Sequence, residues 1–275
     1  MISINKNILY VSDLDGTLLH SDEKTSDYTN NIINTLVEKG MCFSYATARS
    51  FTTASKVASG LTTNFPVIVH NGVFIIDNKS RECLYSNYFE KKDLEIIRTS
   101  LQEHSISPIV YSHIVGSEKF SYKREKMTAG LKTFVDSRKG DVRDNPLTPN
   151  QNLFEGDVFY FTCIDSEEKL LLVYEQLKEH YSCVYSKDIY SGDMWLEIMP
   201  KPATKANAIL QLKTILNCDK IIAFGDGIND ISMFKIADEC YAVENAANEL
   251  KIMATAIISS NNEDGVAKWL SQNVK

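Results

Sequence analysis

Short apolar runs and helical periodicities alternate along the first third of the chain. Residues 8–11, 42–46 and 66–69 are each apolar on both faces and bounded by turn-forming positions, the pattern of strands buried on both sides. Between the first two, Ile32, Ile33, Leu36 and Val37 recur at helical spacing, with Thr25 or Ser26 placed to cap the helix and Gly40 to end it. A second helix, rich in small residues, is predicted over 50–60. Strand, helix, strand, helix, strand is the rhythm of a parallel sheet covered on both faces. Residues 73–76 and 83–85 then flank Asp77, Asn78, Lys79 and Ser80, which predicts a hairpin.

The rhythm changes from residue 87. A helix over 91–104 carries Leu94, Ile97 and Leu101 on one stripe, and strand-like runs follow at 108–112 and 119–123. A polar stretch punctuated by Pro146 and Pro149 leads to an apolar run at 158–164, a helix over 167–180 and a short strand at 183–185. These proportions predict a separate α+β module inserted into the first domain. The doubly wound pattern is read to resume with a strand at 195–199 and a helix at 203–216 facing Ile209, Leu212, Ile215 and Leu216 to the core. A buried strand follows at 221–224. The fold class expected is α/β, with a doubly wound parallel core sheet over 1–86 and 191–275 and the inserted module over 87–190.

Composition narrows the partners. With 275 residues, 44% hydrophobic and 24% charged, the chain reads as an ordinary globular protein. A net charge of −7 argues against a general nucleic-acid binder. The N-terminus does not read as a signal peptide and no segment approaches a membrane span. Cys42, Cys83, Cys163, Cys183, Cys218 and Cys240 are scattered without zinc spacing, which fits a reducing, cytoplasmic setting. His20, His70, His104, His113 and His180 form no ligand set. The basic cluster Lys119, Lys123, Arg124 and Lys126 reads as solvated surface.

The chemistry lies at two strand ends. The first apolar run stops in Asp13-Leu14-Asp15-Gly16-Thr17; alone, this is an Asx turn, a Mg2+ site or an aspartate nucleophile. About 210 residues later another buried run stops in Gly225-Asp226-Gly227-Ile228-Asn229-Asp230. Open α/β sheets bind ligands beyond the carboxyl ends of strands where strand order reverses. If the two strands are neighbours, Asp13, Asp15, Asp226 and Asp230 converge, and four carboxylates need a cation or a shared proton. Thr47 ends the second strand with a hydroxyl for the same pocket. Lys205 falls in the first turn of a helix, where the dipole disfavours cations, and so stands out as a charge for that pocket. Metal, nucleophile, acid, hydroxyl and lysine together specify phosphoryl transfer.

These four motifs, with Thr47-Ala48-Arg49 as the second and Lys205 as the third, resemble the haloacid dehalogenase superfamily, and most of all its Cof-type phosphatases with a type IIB α/β cap. Asn71-Gly72 and Glu263-Asp264-Gly265-Val266-Ala267 support the match. The resemblance implies that Asp13 attacks phosphorus and that Asp15 is the acid and base. It further implies that Asp13, the Asp15 backbone carbonyl and Asp226 hold Mg2+, with Asp230 orienting them. Thr47, Lys205, Asn229 and the backbone around Leu14 and Gly16 would hold phosphate oxygens. Ala48 and Ala206 stand where relatives usually carry Gly. Lys201 is the rival lysine, and Arg49 is expected to pin its loop. The inserted module becomes the cap, which carries no readable specificity motif. The expected reaction is hydrolysis of a small phosphorylated metabolite, such as a sugar phosphate, by a monomer or homodimer. A phosphomutase or phosphotransferase using the same aspartyl-phosphate, and a non-catalytic phosphate-sensing protein, are the alternatives.

Overall fold

The computed structural model describes residues 7–187 and 192–274. They form two compact units, dividing between Ser86 and Asn87 and again between Pro202 and Ala203. The first unit opens with β1 (Ile8–Ser12), α1 (Asp27–Glu38), β2 (Cys42–Tyr45), α2 (Phe51–Val57) and β3 (Pro66–Val69). A single turn of 3-10 helix, His70–Gly72, leads to β4 (Phe74–Asp77), which pairs antiparallel with β3 and with β5 (Cys83–Ser86). Ser26 caps α1 by accepting from Thr29 N at 2.9 Å, and Ser50 does the same for α2 from Thr53 N at 3.2 Å.

The second unit contains α3 (Lys91–Glu103), β6 (Ile109–Ile114), β7 (Ser117–Lys123), α4 (Ala129–Asp136), β8 (Asp144–Leu147), β9 (Asp157–Ile164), α5 (Glu167–Leu177), β10 (Ser182–Lys187) and β11 (Met194–Met199). Its six strands run in the order β10-β11-β9-β6-β7-β8. Ile97 and Leu101 of α3 and Leu170, Val173 and Leu177 of α5 bury themselves with Val110, Phe161, Leu196 and Ile198 of the sheet. Two elements here escaped the hydrophobic pattern. The helix α4 buries only Leu131 and Phe134, and β8 lies in the proline-punctuated stretch.

The second boundary differs from the sequence expectation. Residues 190 and 191, where it was placed, lie outside the described residues. Beyond them, β11 belongs to the second unit and not to the doubly wound core, because it pairs antiparallel with both β10 and β9. Leu196, Ile198 and Met199 are fully buried there. An apolar run reports that a strand is buried; it does not report which sheet buries it.

The chain returns to the first unit with α6 (Lys205–Ile215), β12 (Lys220–Gly225), α7 (Ile231–Phe234), β13 (Glu239–Val243), α8 (Asn248–Met253), β14 (Ala256–Ile258) and α9 (Gly265–Asn273). Five parallel strands form the core sheet in the order β14-β13-β12-β1-β2, and β3 continues it through a parallel bridge between Ala46 and Ile68. From β1 the chain winds first towards β2 and later towards β12, so strand order reverses between β1 and β12. In α6, Ile209 and Leu212 are buried as expected, whereas Ile215 is exposed. Trp269 of α9 lies against Tyr241, Phe224 and Tyr10, at centroid distances of 4.4, 5.2 and 6.4 Å.

Asp264, in the turn before α9, ties that turn to the chain after β1 and to the first turn of α1. Its Oδ1 accepts from Ser26 Oγ at 2.5 Å, His20 Nε2 at 2.9 Å and Thr29 Oγ1 at 3.0 Å. Burial pushes its carboxyl up, but donation from Ser26, His20 and Thr29 outweighs this and holds it below the usual range. Because the folded group titrates lower than the unfolded one, its stabilisation is present above the ordinary carboxylate range and is lost as pH falls through the folded value. Replacing Asp264 by Asn is expected to cost about 2 kcal/mol at pH 7. Urea unfolding at pH 7 and at about pH 3, below the ordinary carboxylate range, should show the gap from wild type narrowing at the lower pH.

Candidate active site

The site grows from the switch point. Ser12 of β1 lies level with Phe224 of β12, and Asp13 N donates to Phe224 O at 2.9 Å, so the two acidic loops leave the sheet side by side. After Asp13 the chain wraps around one carbonyl: the N–H groups of Thr17, Leu18 and Leu19 all donate to Leu14 O. Gly16 makes this turn with φ +75, and a Cβ there would lie 2.4 Å from Asp226 Oδ2. Only glycine accepts both the conformation and the approach. Thr17 then donates its hydroxyl to Asp226 Oδ1 at 2.6 Å, joining the first loop to the second.

The second loop closes on Asp230. Its Oδ2 accepts from the backbone N–H of Asp226 and of Gly227, both at 3.0 Å, and the residue is fully buried. Its other oxygen accepts from Lys205 Nζ at 2.7 Å, and the same ammonium donates to Asp13 Oδ1 at 2.8 Å. Lys205 is 2% exposed. Its place in the first turn of α6 is explained by this pairing: Thr204 caps the helix by accepting from Asn207 N, and the lysine ammonium is directed at two carboxylates. Gly72 makes the position available. A Cβ on it would lie 2.2 Å from Thr204 O, so the start of α6 rests directly on the turn after β3. The rival, Lys201, lies in the second unit and donates to Lys178 O and Glu179 O.

The electrostatics follow from burial. Desolvation and the charge of Asp230 push Asp13 well above the usual carboxylate range, although Lys205 pulls the other way. Burial and Asp230 push Asp226 up to about 7. Desolvation alone would lower Lys205, but the Asp13 and Asp230 carboxylates outweigh it and raise it. Carboxylate oxygens of Asp13, Asp226 and Asp230 lie within 4.8 Å of one another. A crowd of buried acids offering only oxygen donors fits a small hard divalent cation.

Asp15 is placed differently. Its carboxylate faces Arg49, which donates through Nε at 2.8 Å and Nη2 at 2.6 Å. Asp15 is not among the acids whose oxygens cluster at the strand ends. Arg49 pins the loop after β2, as expected, and Thr47 is fully buried beside it, its Oγ1 accepting from Arg49 N at 3.1 Å. Ala48 adopts a φ open to any residue, so the missing glycine there costs the backbone nothing. Asn229, half-buried, projects from the turn that ends in Asp230.

The sequence model of the haloacid dehalogenase-like hydrolases matches residues 10–270. The chain belongs to this family. By sequence, the hydrolase is 27% identical over 280 residues to the 5-amino-6-(5-phospho-D-ribitylamino)uracil phosphatase YwtE of Bacillus subtilis, covering 94% of this chain and 96% of that one. Among solved structures, TM0651 from Thermotoga maritima superposes with a TM-score of 0.79 at 23% identity, covering 97% of each chain. The subclass IIB sugar phosphatase BT4131 superposes with a TM-score of 0.74 at 19% identity, covering 96% of this chain and 98% of that one. These likenesses show the fold of the family with its cap.

Sequence reading missed the supports of the site. Thr17 was read only as part of a motif, yet it anchors Asp226. A third loop, after β13, holds both acidic loops from outside: Asn245 Nδ2 donates to Gly16 O at 2.7 Å and Ala247 N donates to Asp226 O at 2.8 Å. The signal available was a polar Asn just past a third buried strand. Lys205→Ala leaves Asp13 and Asp230 buried without their cation, a loss of about 3–5 kcal/mol. Thermal unfolding should show a clear fall in Tm for this variant and almost none for Lys201→Ala.

Proposed function

We propose that this hydrolase is a Mg2+-dependent phosphatase acting on a small phosphomonoester through an aspartyl-phosphate on Asp13. The observation that carries the reading is the meeting of Asp13, Asp226, Asp230 and Lys205 at the carboxyl ends of β1 and β12. Asp13 and Asp226, with the backbone carbonyl of Asp15, would hold the ion, while Asp230 fixes the loop that carries Asp226. When bound, Mg2+ supplies positive charge to the phosphate oxygens and keeps Asp13 ionised.

In the first step a carboxylate oxygen of Asp13 bonds to phosphorus, the bond to the leaving oxygen breaks, and that oxygen takes the proton of the Asp15 carboxyl. In the second, Asp15 removes a proton from water, whose oxygen bonds to phosphorus. The bond to Asp13 then breaks, releasing inorganic phosphate and restoring both acids. Thr47, Lys205, Asn229 and the backbone over Leu14 and Gly16 bind the phosphate oxygens, a preorganised set of donors that supplies much of the acceleration.

The substrate class is a sugar or sugar-alcohol phosphate. The resemblance to YwtE, whose named substrate carries its phosphate on a ribityl chain, supports this choice. The scattered free cysteines suit a reducing cytoplasm, and among the described residues no helix is long and apolar enough to cross a membrane. The enzyme works as a monomer or homodimer.

The test is hydrolysis of 4-nitrophenyl phosphate by wild type and Asp13→Asn, each with Mg2+ and with EDTA. Wild-type turnover should require Mg2+, and the variant should fall by on the order of 10³ or more while remaining folded. Turnover surviving in Asp13→Asn would remove the nucleophile from this scheme.

A further inference from the structure

The guanidinium of Arg49 stands between two carboxylates of different kinds. Nε donates to Asp15 Oδ2 at 2.8 Å and Oδ1 at 3.1 Å, and Nη2 donates to Asp15 Oδ1 at 2.6 Å. The second hydrogen of Nη2 goes to Glu23 Oε2, also at 2.6 Å. A guanidinium is a rigid plane. Holding Nη2 from the far side therefore fixes the surface against which the Asp15 carboxyl lies.

The loop that supplies Glu23 is built to hold it there. Glu23 has φ +60, a left-handed conformation that a side chain of this type adopts only where its surroundings enforce it. Glu23 N donates to His20 O and His20 N to Lys24 O, closing the turn. The turn is tied at its base by His20 Nε2 to Asp264 Oδ1 and by Ser21 N donating to Asn262 Oδ1, both at 2.9 Å. Glu23 thus reaches Arg49 from a fixed support that is independent of the strand ends.

We propose that Glu23 is a positioning residue which, through Arg49, orients the Asp15 carboxyl for proton transfer to the leaving oxygen. This rests on the reading of Asp15 as the acid. With Glu23 neutralised, one hydrogen of Nη2 loses its anionic partner. The guanidinium is then free to turn, and Asp15 turns with it. The cost falls on leaving groups that need the proton: phenolate leaves poorly without it, whereas 4-nitrophenolate is stable enough to leave as the anion.

The experiment compares kcat/KM for phenyl phosphate and 4-nitrophenyl phosphate, whose similar shapes cancel most differences in binding, in wild type, Glu23→Gln, Glu23→Asp and Asp15→Asn with Mg2+. The ratio of phenyl to nitrophenyl is expected to fall about three- to tenfold in Glu23→Gln, to recover in part in Glu23→Asp, and to fall furthest in Asp15→Asn. Far-UV circular dichroism and Tm of Glu23→Gln should match wild type. If Asp15→Asn lowers the ratio and Glu23→Gln leaves it at the wild-type value, Glu23 has no positioning role and the acid assignment stands. If Asp15→Asn itself leaves the ratio unchanged, the acid assignment falls and the role of Glu23 falls with it.

Discussion

One ammonium, that of Lys205, makes the arrangement of this molecule tolerable. Asp13 and Asp230 are both buried, and two carboxylates removed from water and turned towards each other repel too strongly to remain ionised unaided. Lys205 bridges them at 2.8 and 2.7 Å. The rest of the core can be read as what that bridge demands. The strands β1 and β12 have to be neighbours, or the acids could not meet. The start of α6 has to rest on the turn after β3, which only Gly72 allows. Gly16 has to leave room for Asp226, and Gly225 for Asp230, whose carboxylate oxygen would lie 2.7 Å from a Cβ there.

The parts legible in the sequence were those whose signal is local. A buried run ending in two acids, repeated about 210 residues on, announces a ligand at a sheet's carboxyl edge whatever the tertiary fold. Lys205 was visible because it breaks a local rule, the disfavour of cations at helix N-termini. What stayed hidden depends on distant partners. The strand β11 has the apolar character of any buried strand, and only its pairing with β9 and β10 assigns it to the second unit. Pro146 argued against a strand at β8. The ladder tolerates it because β8 is, among the described residues, an edge strand beside β7. The Glu23–Arg49 pair spans 26 residues and the Thr17–Asp226 bond 209, and no periodicity encodes either.

The four acids differ most in what holds them, and that difference matches the tasks proposed for them. Asp230 is fixed on both oxygens, by Lys205 on one and by two backbone N–H groups on the other, so it suits a scaffold. Asp226 is gripped on one oxygen by Thr17, which leaves the other to face a cation. Asp13 has a single oxygen on Lys205, which in the proposed scheme leaves the second to attack. Asp15 is held by a guanidinium, that of Arg49 on the loop after β2. In the proposed scheme Asp15 gives up a proton and recovers it. Such an acid needs a partner that can yield, and a guanidinium on a loop meets that need better than a backbone amide. The same reasoning explains why Arg49 requires a hold of its own. A partner free to yield to Asp15 is also free to drift to an incoming phosphate dianion, and the carboxylate of Glu23 on its far side opposes that movement.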